Sequence, residues 1–340
     1  MDDVLVLWDI DGTLLNAGGV GRDLYDVVFR QLFGRPLSSY APMAGRTDRA
    51  IILETLTQAG VEEPRRYVDP FIAGLGAHAR SVGSAVTERG QALPGAAEVL
   101  AALAAARYLA GLGGPGGPGT GAGAGRLGGA GDLVGVGAGA GAGAACAGGS
   151  GGRGLGSVAG ASGAGVSVAA APGVAVPGAG LPVAGLPAAG VVTVADAGGA
   201  VDKRGVRTDG PGDRRVYQSV LTGNIRAVAE VKLAALGLRD RLDLCIGAYG
   251  DDHEDRTELV QVARRRAAGV HGRSGAAFAG TATVVIGDTP LDIAAALAAG
   301  ARAIGVATGS YAAADLTAAG AHAVLPSLAD TALVLDAIFG

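Results

Sequence analysis

The sequence predicts an α/β fold: a parallel sheet with helices on both faces, joined to a mostly helical block and interrupted by a long insert poor in bulky side chains. Three observations predict it. Val4-Leu5-Val6-Leu7-Trp8 reads as a buried strand and runs directly into Asp9-Ile10-Asp11-Gly12-Thr13. From residue 216 onward, short apolar runs alternate with segments of helical periodicity, the signature of strands joined by crossover helices. Residues 107–215 follow neither pattern, and 111–200 alone hold 33 of the 62 glycines.

The elements follow in order. After strand 4–8, residues 20–33 carry Val20, Leu24, Val27, Val28 and Leu32 at helical spacing. Thr47-Asp48 suits the start of a helix over 49–59 with Gly60 as its stop, and 66–82 reads as helical. Pro94 can open an Ala-rich helix over 95–107. Residues 16–90 thus form the helical block. Past the insert, strands are expected at 216–221, 242–246, 283–286 and 303–306. Helices are expected near 225–236, 254–268, 291–299 and 328–338.

In 107–215, Gly-Ala repeats give way to prolines every five residues, at Pro172, Pro177, Pro182 and Pro187. Such a composition supplies turns and little core, so a disordered insert is expected. No charge occurs from Gly154 to Ala195, but the repeated Pro and Gly disfavour a membrane-spanning helix. The insert enters between a helix and the strand at 216, the edge of a βαβ unit opposite the strands' carboxyl ends, so it should hang away from a site built there.

The remainder is long enough for a real core. A net charge of −4 gives no reason to expect nucleic acid or a membrane surface as partner. Two cysteines imply no disulfide framework, and a Met1-Asp2-Asp3 start without a basic or long apolar run does not read as a signal peptide, so a cytoplasmic location is expected. Lysine occurs only at Lys203 and Lys232, which makes Lys232 worth weighing.

Three strand ends carry polar residues suited to chemistry: Asp9 and Asp11, then Thr222-Gly223-Asn224, then Asp288-Thr289-Pro290-Leu291-Asp292. Ligands of open α/β sheets bind beyond the carboxyl ends of strands. Asp9, Asp11 and Asp288 would suit a hard, oxygen-seeking ion such as Mg²⁺, and Gly12 and Gly223 would leave backbone N–H groups open to an anion. Asp9 and Asp11 as a bare helix-capping pair is the duller alternative, disfavoured by the two other motifs.

Those motifs resemble the first, second and fourth motifs of the haloacid dehalogenase-like hydrolases, most closely the phosphoglycolate phosphatase-like branch. The resemblance covers about 1–106 and 216–340 and implies a Rossmann-like core with a helical cap at 16–90. It implies that Asp9 attacks phosphorus and that Asp11 protonates the leaving oxygen and then activates water. Mg²⁺ would be held by Asp9, the Asp11 carbonyl and Asp288, with Asp292 behind them. The substrate-binding set would be Gly12, Thr13, Thr222, Gly223, Asn224 and Lys232, acting on a small phosphorylated metabolite. Lys232 would supply the basic third motif; Arg256 and the run Arg264-Arg265-Arg266 are its rivals. The duller reading of Lys232 is a solvated helix face, and that of the arginine run is an offset to the helix dipole. Arg46, in Gly45-Arg46-Thr47-Asp48, could touch substrate or simply start a helix. Asp251-Asp252-His253-Glu254-Asp255 could hold a second metal but more simply caps helix 254–268, and His78, His271 and His322 read as structural or exposed. A phosphomutase shares the motifs, a dehalogenase does not need Asp11, and a non-catalytic binding protein would not need the full acidic set.

Overall fold

The computed structural model describes residues 3–106, 215–274 and 276–340, all within one compact unit. The expected insert lies outside the described residues apart from Arg215. Five parallel strands form the sheet in the order β4-β1-β5-β6-β7. They are β1 (Val4–Trp8), β4 (Val216–Val220), β5 (Thr283–Gly287), β6 (Arg302–Val306) and β7 (Ala323–Leu325). β1, β4 and β5 are buried along their whole length; β1 is accordingly a continuous apolar run, and the polar Gln218 and Ser219 of β4 donate to backbone carbonyls.

Alternate residues of β1 feed opposite layers. Val6 and Trp8 pack with α5 (Ala96–Ala106), α6 (Arg226–Ala235) and α10 (Thr331–Phe339); Leu5 and Leu7 pack with α7 (Arg256–Val270), α8 (Pro290–Ala298) and α9 (Ala313–Ala318). A third apolar cluster ties α1 (Val20–Phe33), α2 (Asp48–Gln58), α3 (Val68–His78) and α4 (Gly83–Arg89) to Ile225 and Val228 at the start of α6. A small antiparallel pair, β2 (Leu15–Asn16) with β3 (Gln91–Ala92), lies where the chain leaves the sheet for these helices and returns. Trp8 is level with both Val220 and Ile286, so the loops after β1, β4 and β5 emerge side by side.

Several expectations change. Residues 242–246 are not a strand: Asp243 N–H donates to Gln218 O (3.0 Å) and its carbonyl accepts from Ser219 Oγ (2.6 Å), so this apolar alternation fills a buried turn beside β4. The helix expected over 66–82 is divided by 3-10 turns at Pro64–Tyr67 and Ala79–Val82. β7 and α9 complete the sheet's far side and were not foreseen. No helix of the described residues is long and apolar enough to cross a membrane.

Candidate active site

The sheet delivers Asp9 to the site still hydrogen-bonded as strand, its N–H donating to Ile286 O at 2.8 Å. The chain then folds back: Leu14 and Leu15 N–H donate to Ile10 O, and Gly12 N–H to Leu15 O. Gly12 has φ +87°, and a Cβ there would collide with the Asp288 carboxylate. Its amide is committed inside the turn, so the expectation of an open N–H at Gly12 is corrected. Thr13 is fully buried and donates to Asp288 Oδ1 (3.2 Å); its hydroxyl supports Asp288 instead of facing substrate.

Asp9, Asp288 and Asp292 bring carboxylate oxygens within 4.8 Å of one another, all buried. Asp292 closes a capping box at the start of α8, accepting from Thr289 Oγ1 at 2.7 Å and Thr289 N–H at 3.1 Å. Between Asp9 and Asp292 sits Arg256, the first residue of α7. Its Nη2 donates to Asp9 Oδ1 (2.7 Å), to Asp292 Oδ1 and to Leu221 O (3.3 Å). Burial pulls the Arg256 pKa down, but the Asp292 and Asp9 charges outweigh it and the net direction is up. Burial, with the Asp292 charge, raises Asp9 well above the carboxylate range despite Arg256, and lifts Asp288 to about 7.

Asp11 stands on the more open side. Lys232, buried on α6, donates to Asp11 Oδ2 at 2.6 Å and to Asn224 Oδ1 at 2.7 Å; Asn224 Nδ2 also donates to Asp11 Oδ2 (2.7 Å) and to Thr222 Oγ1 (2.9 Å). Lys232 is therefore no solvated face. Lys232 and Arg256 both reach the site, Lys232 on Asp11 and Arg256 on Asp9 and Asp292, so they are partners rather than rivals.

A cavity of about 610 Å³ opens over this cluster. Asp9, Asp11, Thr222, Gly223, Asn224, Lys232 and Asp288 line one side; Arg22, Tyr25, Arg46 and Ile51, from the helical block, line the other. The helix-start reading of the 45–48 stretch holds, with Thr47 capping α2 by accepting from Ala50 N–H; Arg46 borders the cavity while paired to Glu54 (2.6 Å). Asp48, which the sequence offered only as part of a helix start, is buried beneath the cavity. Thr308, not foreseen, donates to Gly12 O at 2.6 Å.

Of the other candidates, Asp255 caps α7 and Asp252 pairs with Arg266. The arginine run does not end the helix. Arg264 is buried and donates to Thr283 Oγ1, Ala299 O and Gly280 O, and Arg266 also reaches Gly247 O, so these side chains tie loops together. His271 stacks on Tyr217, His78 meets Gln31, and His322 Nδ1 accepts from Ala303 N–H.

The sheet order places these carboxylates beyond the carboxyl ends of parallel strands, where ligands of open α/β sheets bind. Residues 259–331 match the family described as HAD-hydrolase-like. Similar solved structures include a haloacid dehalogenase-like family hydrolase from Streptococcus pneumoniae (11% identity, TM-score 0.45, 98% of each chain covered). A hydrolase from Pseudomonas syringae is 15% identical (TM-score 0.46; 99% of this chain and 100% of that one). A HAD family hydrolase from Deinococcus radiodurans, with bound phosphate and sodium, is 19% identical (TM-score 0.41; 99% and 96%). No curated protein matches the chain.

Proposed function

We propose that the chain is a Mg²⁺-dependent phosphatase of small phosphorylated metabolites, acting through an aspartyl-phosphate on Asp9, with residues 16–90 as the cap over a core of 1–15, 91–106 and 216–340. The observation that carries this reading is the gathering of Asp9, Asp288 and Asp292 within 4.8 Å of one another, beside an Asp11 held by Lys232 and Asn224.

Hard oxygen donors crowded and buried in this way fit a divalent cation, since burial and mutual repulsion otherwise push Asp9 and Asp288 toward protonation. Asp9 and Asp288, with the Asp11 carbonyl, would hold it, and Asp292 would brace them through Arg256 and Thr289. When bound, the ion supplies positive charge that offsets repulsion between carboxylate and phosphate. Arg256 grips Asp9 Oδ1, which leaves the other oxygen to attack phosphorus as the ester P–O bond breaks. Asp11 gives the departing oxygen a proton. It then takes one from water, whose oxygen attacks phosphorus and frees Asp9 as inorganic phosphate leaves. Thr222, Asn224 and Lys232 line the cavity beside Asp11 and would hold the phosphoryl oxygens. Helices α1 and α2 cover the site and limit water.

The test is a phosphomonoester panel with Mg²⁺ or with chelator. Wild type should release inorganic phosphate only with metal, and Asp9→Asn should lose at least about 10³-fold of that rate, as expected when the nucleophile is removed. Metal-independent turnover, or an active Asp9→Asn, would refute the reading. Transfer to a second sugar phosphate without net phosphate release would favour a mutase instead.

A further inference from the structure

The geometry points to Asp48 as a positioning residue that brackets Asn224 and so sets the Lys232–Asn224–Asp11 arrangement; the catalytic part of this inference rests on the phosphatase reading above. Asp48 is a buried acid outside the proposed catalytic set. It grips the turn after β4 on both sides of Asn224. Its backbone N–H donates to Gly223 O at 2.7 Å, and its Oδ2 accepts the Ile225 N–H at 2.7 Å. The carboxylate is itself fixed by Tyr25 of α1, whose hydroxyl donates to Oδ1 at 2.6 Å. Asn224, thus pinned, holds Asp11 Oδ2 and receives Lys232 Nζ.

The surroundings leave the turn little other freedom. Asn224 O accepts from Gly250 N–H (2.8 Å), and a Cβ on Gly223 would collide with Arg46 O, so the 45–48 backbone lies against the turn. Thr47 already caps α2, so the Asp48 carboxylate is not needed as a cap. One side chain therefore links α1 and the start of α2 to the loop that holds the proposed general acid. A small displacement of such a group is costly because the reacting atoms must stay in line.

The test uses the full chain as Asp48→Ala, Asp48→Asn and Tyr25→Phe, with Mg²⁺ and p-nitrophenyl phosphate as probe. Asp48→Ala should lower kcat about 100-fold per folded molecule, with a smaller change in KM. Asp48→Asn, which keeps an oxygen for Ile225 N–H, should recover most of that loss, and Tyr25→Phe should fall between. Independently of activity, the Ile225 amide should exchange with solvent about tenfold faster in Asp48→Ala and Tyr25→Phe, while β4 stays protected. A folded Asp48→Ala with wild-type kcat, or no rescue by Asn, overturns the inference. If Asp48→Ala does not fold, unchanged kcat and unchanged Ile225 exchange in Tyr25→Phe overturn it equally. A wild type inactive on every phosphomonoester refutes the phosphatase reading, and the exchange result then decides the bracketing role alone.

Discussion

Asp48 also makes the protein's stability depend on pH in a direction opposite to that of a surface aspartate. Its pKa is raised from 3.8 to about 6, chiefly by burial; the Tyr25 hydroxyl, the Ile225 N–H and the Lys232 charge oppose the shift, and the Asp11 charge adds to it. The folded state therefore holds this proton more tightly than the unfolded chain does. The stability it contributes is complete below pH 4 and is lost as pH rises through 6. A shift of about two units at roughly 1.4 kcal/mol each is worth roughly 3 kcal/mol. Asp48→Asn cannot titrate. Between pH 4 and pH 7, the difference in unfolding free energy between wild type and Asp48→Asn should thus move by roughly 3 kcal/mol in the variant's favour. Urea unfolding followed by the fluorescence of Trp8, the sole tryptophan and buried in β1, measures it. A difference flat to within about 0.5 kcal/mol across that range, or one that moves against the variant, would refute the reasoning.

Arg256→Met should destabilise the metal-free protein by about 3–5 kcal/mol, because it strands two buried carboxylates; thermal unfolding should show Mg²⁺ returning part of that loss. Gly309→Ala places a methyl against the Asp288 carboxylate, and should cost about 1–3 kcal/mol and weaken Mg²⁺ activation, read by unfolding and by a metal titration of phosphate release. Replacing 108–214 with a short Gly-Ser linker should leave phosphatase activity intact and raise the melting temperature, since it joins α5 to the amino end of β4, away from the site, and shortens a closure worth roughly 3 kcal/mol. Loss of activity in a folded deletion would show that the joined ends are not remote from catalysis.

The sheet was legible because β1 and most of β5 are buried on both faces and so appear as apolar runs ending in polar turns, while β4, buried too, carries Gln218 and Ser219 between apolar ends. Leu242-Asp243-Leu244-Cys245-Ile246 imitated a strand because a buried turn that presents alternate side chains to the core has the same pattern. Its backbone bonds run to the Gln218 carbonyl and the Ser219 hydroxyl, which no periodicity encodes. β7 spans three residues and α9 six, too short for either period to register. Within the site, the acids were readable from their places at strand ends. Lys232 stood out as the one lysine outside the insert and Arg256 only as its rival; that both turn inward, Lys232 to Asp11 and Arg256 to Asp9 and Asp292, is decided by how α6 and α7 pack. Asp48 was hidden for another reason: beside a helix-capping Thr47, an acid in the first turn needs no further explanation.

The assignment of the two cations follows from their chemistry. Arg256 must bridge two buried carboxylates, and a planar guanidinium can face both while keeping its charge. Lys232 meets one carboxylate oxygen and one amide oxygen, a task for a compact ammonium on a flexible stem. The charges then sum simply. Asp9, Asp11, Asp288 and Asp292 carry four negative charges when ionised, and Arg256 and Lys232 return two. The remainder is the charge of one divalent cation, and it falls on the Asp9–Asp288 side, where Asp288 has the Thr13 hydroxyl and a backbone N–H for support but no cationic side chain bonded to it directly among the described residues. Exchanging the two cations would leave that sum unchanged but lose the bridge. Arg256→Lys should therefore behave as a site defect, whereas a purely electrostatic account predicts no effect.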